Sequence, residues 1–393
     1  MSFVDSGWFV LSFYVAIVLL VYLNRKHFII QSKIIALYKT KIGLKLMDSW
    51  SSKYREYFRV LGFIGIGVGF AGVIGMFYLL VKNLVDIVMM PSAASAVSLV
   101  IPGVAVPGSP VTIPLFSGWI ALFLVVVVHE FSHGVIARTH KIKVKSSGIF
   151  FLGPLMGAFV EPDEKQLRAS SDTTQYSVYA AGPFSNVLLA IACLALLSFA
   201  FNPLADAMVN PLGVQVVDTF PNMSAADAGI QKDMVITQVN GVEVRTFEDF
   251  SSELKYLRPG DDVQVKADNK KFSFEVGPNP DDERSAFLGV MVSSAPKTEL
   301  KSELLSFKIL SWIVKAILEL LVVTAILSLG IGLANLLPLG PVDGGRMLQV
   351  LTHRAKGKTK GNKIWKRVAL ITLILLAVNL IWPFIQWLLN VAV

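Results

Sequence analysis

The chain is poor in charge and nearly devoid of cysteine. Only 16% of its 393 residues are charged, against 54% hydrophobic, and the mean hydropathy is +0.61. So little polar surface cannot keep a chain of this length dispersed in water, and it suits neither a disordered, a collagen-like nor a coiled-coil protein. The class is integral membrane protein in a lipid bilayer. Cys193 stands alone inside an apolar run, so no intrachain disulfide can form. There is no internal repeat and no low-complexity tract. No Lys or Arg precedes Arg25, which argues against a cleavable signal peptide at the first apolar stretch. The formal charge of +8 is read as basic loops at an anionic leaflet, with no nucleic acid as partner.

What is present is a series of six apolar stretches, roughly 7–23, 60–81, 116–137, 177–201, 310–337 and 368–390. Each is long enough, or nearly so, to cross a bilayer as a helix. Loop charge sets the orientation. Residues 24–59 carry nine Lys/Arg, 138–176 carry six and 338–367 carry eight, whereas 82–115 carries only Lys82. The three basic loops are therefore expected inside and both termini outside. The Pro/Gly/Ser-rich stretch 91–114 reads as an irregular outer loop, and the basic run 351–367 as a cytoplasmic loop before the last span.

Residues 210–296 have ordinary soluble composition. Ser224 is expected to cap a short helix that stops at Gly229, and Met234–Val239 reads as a strand ending in the tight-turn pair Asn240-Gly241. Thr246 is expected to cap a helix with apolar positions at 247, 250, 254 and 257. Val263–Ala267 and Phe272–Val276 alternate about a polar turn, as a hairpin does.

The third span reads LVVVVHEFSHGVIA. His129 and His133 lie four apart, so on a helix both imidazoles leave one face and can share an ion. Glu130 stands beside them, where a carboxylate can act on water without being a ligand. With five His and twelve Glu in the chain, the motif would arise in roughly 0.2% of shuffled sequences. Two histidines packing a helix interface is the plainer reading, but three ionisable groups within five membrane residues weigh against it. A catalytic zinc site needs a third protein ligand. The fifth span ends GIGLANLLPLGPVDGGRM, a poor helix at membrane depth, and unwound backbone is tolerated there only when protein or a wet cavity receives it. Asp343 sits in that break, with a surface turn as its alternative.

HEFSH (His129 to His133) with NLLPLGPVDGG (Asn335 to Gly345) resembles the site-2 protease family of intramembrane zinc metalloproteases. GPLMGAFVEPDE (153–164) is similar to that family's membrane-associated β-hairpin, and AAGPFSN (Ala180 to Asn186) to its G-P-x-x-N motif. PLGVQV and SAADAGIQKDMVITQVNGVEV within 210–296 resemble a PDZ domain, which matches an insertion between those two spans. The implied fold is a polytopic α-helical membrane protein of about six transmembrane helices with a β-hairpin and an inserted α+β PDZ domain. Its implied parts are 1–115 (two spans), 116–209 (first part of the core), 210–296 (PDZ), 297–350 (second part) and 351–393 (basic loop and last span).

The resemblance makes His129, His133 and Asp343 ligands of one zinc ion and Glu130 the general base. Asn186 and Asn335 become oxyanion or substrate-binding groups, with interhelical hydrogen bonding as the alternative. Implied substrates are membrane-anchored proteins with a transmembrane helix, cut in regulated intramembrane proteolysis. The PDZ domain would lie outside, taking a peptide or C-terminus or filtering substrates by size, with the active site towards the cytoplasm. Two rivals are a prenyl-protein type membrane zincin, which needs a Glu such as Glu319 as third ligand, and a catalytically inactive scaffold or transporter. The glycine-rich run 62–75 is read as close helix packing.

Overall fold

A computed structural model describes residues 7–31, 34–90, 97–106, 109, 111–221, 223–280 and 282–391. Residues 91–96, 107–108 and 110 of the expected outer loop lie outside those described. The chain divides into two compact units, Met1–Ser198 with Ile317–Val393, and Phe199–Ala316.

The first unit is mostly helical. Its helices are α1 (Gly7–Leu23), α2 (Leu44–Lys53), α3 (Arg55–Met89), α4 (Leu115–Thr139), α5 (Glu164–Ala169) and α6 (Asp172–Leu196). The chain returns to this unit within α10 (Leu305–Asn335), from Ile317 onward, and continues in α11 (Asp343–Val391). Among the described residues, five helices are long and apolar enough to cross a membrane. At 17 residues, α1 is apolar but shorter; it rises about 26 Å, close to the lower limit for a crossing.

Small residues let these helices approach. A Cβ on Gly65 would lie 3.2 Å from the Phe184 ring, and one on Gly69 would lie 3.1 Å from Ala180, both on α6. A Cβ on Gly72 would run into Leu336 at the end of α10. The run 62–75 is thus a packing face within the chain, as its composition predicts. The foot of α4 is closed by polar contacts: Arg55 donates through Nε to the Thr139 carbonyl at 3.1 Å, capping an otherwise orphaned acceptor.

Four antiparallel strands, in spatial order β1 (Ile29–Gln31), β2 (Ile35–Thr40), β3 (Val144–Leu152) and β4 (Leu155–Pro162), form a sheet beside α4. The β3–β4 hairpin turns at Gly153-Pro154, with Gly153 at φ +58. The hairpin suggested for 153–164 therefore begins earlier, at Val144, and is half of a larger sheet. β2 pairs with β3 from Ile35↔Leu152 to Thr40↔Ser147. That pairing joins the first basic loop to the hairpin, and the sequence gives no hint of it.

The stretch 351–367, read as a basic loop, is instead helical on both sides of Gly357, whose φ of 72 and ψ of 165 break α11. Trp365 donates through Nε1 to the Gly345 carbonyl at 2.9 Å, so the two arms of α11 lie against each other.

The second unit contains α7 (Asn202–Ala207), β5 (Val209–Thr219), α8 (Ser224–Asp227), β6 (Val235–Val239), β7 (Val242–Glu243) and α9 (Phe247–Leu254). It continues with β8 (Asp262–Ala267), β9 (Lys270–Glu275), β10 (Gly277–Asn279), β11 (Asp282–Phe287) and β12 (Val290–Leu300). The main sheet runs β12-β5-β6-β8-β9, with β7 on β6. Its strands thus reach 209 and 300, past the expected limits of 210 and 296. Alternating residues turn inward, Val214, Val216, Val263 and Val265 all being buried at 0–1% exposure. Asn240 and Gly241 both take positive φ, the turn their dipeptide demands. Thr246 and Asp249 form a reciprocal capping box. Ser224 does not cap: Met223 occupies that position and Ser224 is the first helical residue.

Candidate functional site

The third span is one unbroken helix, α4, and its 3.6-residue repeat brings the His129 and His133 rings to one side. Both are buried, at 4% and 9% exposure. Their Nε2 atoms lie 3.2 Å apart. Asp343, the first residue of α11, brings its Oδ2 to 3.2 Å from His129 Nε2 and 3.4 Å from His133 Nε2. Two nitrogens and one carboxylate oxygen therefore form a nearly equilateral triangle.

A metal fits that triangle. In a tetrahedral zinc site with ligand distances of about 2.0–2.1 Å, neighbouring donor atoms stand about 3.3 Å apart. The same spacings are long for charge-assisted hydrogen bonds, which run about 2.7–2.9 Å. His133 Nδ1–H donates to the Val178 carbonyl at 2.6 Å, which leaves Nε2 with a free lone pair aimed into the triangle. The buried Nδ1 of His129 has no partner among the described residues.

The elements around the triangle explain its shape. On α6, a Cβ on Gly182 would collide with Nε2 of both histidines, so a glycine there is a steric requirement of the site. The next residue, Pro183, removes one helical donor at the same level. Around Asp343 the chain folds sharply back. A Cβ on Gly344 would strike the Leu336 backbone and one on Gly345 the Leu339 carbonyl. Both glycines are needed for the broken end of α10 to pass over the start of α11.

Glu130 projects beside the triangle. Its Oε2 accepts the Val160 N–H of β4 at 3.0 Å, while Oε1 accepts nothing among the described residues. Val160 is paired with Ser147 of β3, and its N–H points the other way, along the outer edge of the sheet. A cavity of about 200 Å³ opens here, lined by Glu130, His133, Asp343, Tyr179, Arg346 and Glu164 among others. Arg346 and Glu164 approach to 3.8 Å across it.

His129, Glu130, His133 and Asp343 thus come together, and Asn186 and Asn335 stand apart. Asn186 is fully buried with neither amide atom partnered among the described residues, and Gly332 of α10 lies against it. Asn335 donates to the Ile331 carbonyl of its own helix at 3.0 Å. Neither lines the polar cavity. Glu319, the ligand required by a prenyl-protein type site, accepts from Ser117 at 2.5 Å. Ser117 precedes His129 by twelve residues, about 18 Å along α4, which removes Glu319 from the ligand set. Gly182, Val160 and Arg346 were given no role from sequence, although Gly182 and Val160 lie within the quoted motifs AAGPFSN and GPLMGAFVEPDE. Gly182 alone had a local signal, as a glycine before a proline inside an apolar helix.

The sequence matches the model of peptidase family M50 over residues 117–377. An uncharacterized protein of Methanocaldococcus jannaschii is 29% identical over 315 residues, covering 79% of this chain and 76% of that one. The regulator of sigma-W protease RasP of Bacillus subtilis is 26% identical, covering 58% of this chain and 62% of its own length. The zinc metalloprotease RasP of Oceanobacillus iheyensis is 24% identical, covering 58% and 63%. The chain therefore spans a little under two thirds of either RasP. Among solved structures, the PDZ domain of an SdrC-like protein of Listeria monocytogenes is 16% identical. It covers 21% of this chain and 87% of its own, with a TM-score of 0.19.

Proposed function

The chain belongs to peptidase family M50, and from that premise we propose that it is an intramembrane zinc metalloprotease. Its substrates would be membrane-anchored proteins, cut within or near a transmembrane segment in regulated intramembrane proteolysis. The observation that carries this reading is the triangle of His129 Nε2, His133 Nε2 and Asp343 Oδ2 with the Glu130 carboxylate beside it.

His129, His133 and Asp343 would hold one zinc ion, which supplies Lewis-acid polarisation and a more acidic water when bound. Glu130 moves the proton. Val160 anchors one of its oxygens, so the other is free to take a proton from water and deliver it to the leaving amine. A peptide bond inside a transmembrane helix is protected by its own hydrogen bonds and by exclusion of water. The polar cavity supports access of water to Glu130. The outer edge of β4 offers main-chain groups on which an unwound substrate segment can add as a strand. Asn186, its amide unpartnered, is the stronger of the two asparagine candidates for holding such a segment; Asn335 is committed to its own helix.

The alternating loop charges support an orientation with both termini and the β-rich unit extracytoplasmic and the His133 end of α4 cytoplasmic. That unit we read as a PDZ domain acting on a substrate peptide, a C-terminus or substrate size. The test of the whole reading is zinc per purified chain. About one zinc in the wild type, weakened several hundredfold in affinity by Asp343→Ala, is the expected result, since one of four ligands in a site of about 10–16 kcal/mol is lost. Zinc binding unaffected by Asp343→Ala would remove Asp343 from the site.

A further inference from the structure

Glu130 stands where two cavities meet. One is the polar cavity already described. The other, about 330 Å³, lies between α4 and the sheet, and the two have Glu130 and Val160 in common. On α4 its wall is Phe123, Val127 and Phe131, recurring every four residues along one face. Facing them are Ala158 and Phe159 of β4, Tyr38 of β2 and Met47 of α2. Phe123 and Tyr38 are 47% and 42% exposed and form a mouth, whereas Met47 is 2% exposed and closes the floor. Among the described residues, Glu130 is the only carboxylate lining the cavity, and no Lys, Arg or His lines it.

We propose that this cavity receives the side chain of the substrate residue next to the scissile bond and favours large apolar side chains over small or charged ones. The proposal rests on the proteolytic reading above. Its volume is about twice that of a cavity of about 150 Å³ known to take up benzene, so a benzyl or branched aliphatic group fits. An acidic side chain would meet a carboxylate and, among the described residues, no cation. A lipid acyl chain would fill the same space but gains nothing from an end at Glu130, whereas a peptide whose side chain enters there has its backbone at the Glu130–Val160 bond. The wall made by Tyr38 and Met47 precedes residue 117, where the family match begins. Side-chain preference is therefore set in part by a segment outside the family match.

The experiment uses the full-length zinc-loaded protein in detergent and a series of peptidyl hydroxamates. The side chain nearest the metal-binding group is methyl, isobutyl, benzyl or carboxymethyl. Calorimetry on the wild type is expected to give isobutyl and benzyl roughly 10- to 100-fold tighter than methyl, with carboxymethyl weakest. Ala158→Trp fills the cavity from the sheet and Val127→Trp from α4. Either should bring the benzyl-to-methyl ratio close to one while the methyl compound still binds. Zinc content and thermal melts identify a variant that has failed to fold, and the other then carries the test. A flat wild-type series, or a benzyl preference untouched in a folded, zinc-bearing filled variant, overturns the cavity assignment alone. Zinc-loaded wild type that binds none of the four overturns the metalloprotease reading, and this proposal with it.

Discussion

On α4, His129 and His133 are placed by regularity: an unbroken helix repeats every 3.6 residues, and spacing alone puts two rings on one face. Across the cluster, Asp343 is placed by irregularity. Between Asn335 and Asp343 the helix stops, the chain doubles over itself, and Gly344 and Gly345 supply the clearance. One half of the site is written in the residues present, the other largely in side chains left out. The first kind of placement tolerates change wherever the face is kept. The second has little slack, because backbone meets backbone.

The largest expected effect sharpens the regular half. Glu130→Gln preserves shape and donor set, so zinc should stay at about one per chain while cleavage falls by roughly 10²–10⁴-fold. Measured together, metal content and turnover separate holding the ion from moving the proton; unchanged turnover would mean that Glu130 does not move it. Next come the clearances. Gly344→Ala forces a methyl into the Leu336 backbone and should destabilise by about 1–3 kcal/mol. Gly182→Ala instead pushes against the two histidines and should weaken zinc about 10–100-fold. Zinc titrations on Gly182→Ala that match wild type would break the contrast.

A glycine without neighbours supplies the control. Gly67 lies in α3, and a methyl added there would meet nothing within 4 Å, so Gly67→Ala should leave zinc unchanged and shift stability by less than about 1 kcal/mol, towards greater stability. The smallest effect lies at Glu161. Lys39 at 2.7 Å, and then Ser146, hold its carboxyl below the usual carboxylate range. A carboxylate depressed on folding stabilises above its unfolded pKa and loses that contribution as pH falls through its folded pKa. Both partners are well exposed, so the contribution is under about 1 kcal/mol. Glu161→Gln should flatten the acid limb of a melting-temperature profile by that small amount; an unaltered limb would leave the pair without weight.

Legibility followed the range of the signals. In the β-rich unit, Asn240-Gly241, the Thr246 cap and the alternating valines each act over a few residues, and each could be read. His129, Glu130 and His133 were legible for the same reason. Asp343 was legible only as an acid in the broken end of the fifth span; its distance of 214 residues from His129 left the pairing itself to the resemblance. The β2–β3 pairing was illegible: six residues of mixed polarity find partners more than a hundred positions away. The helical arms around Gly357 were missed because a dense run of lysines reads as a solvated loop, although Lys is a good helix former. Gly182 was visible as the glycine of the G-P-x-x-N motif, but its role was not, because a clearance has no chemistry of its own.

The hydrogen bond from Trp365 to the Gly345 carbonyl has a practical side. It fastens the arm of α11 that follows Gly357 to the second residue after Asp343. The arm that carries Trp365 is therefore a buttress for the turn at Asp343. Trimming the chain after Gly357 to obtain a smaller protein would leave the turn that carries Asp343 without that support. Damage to the arm that carries Trp365 would then be felt first at Asp343.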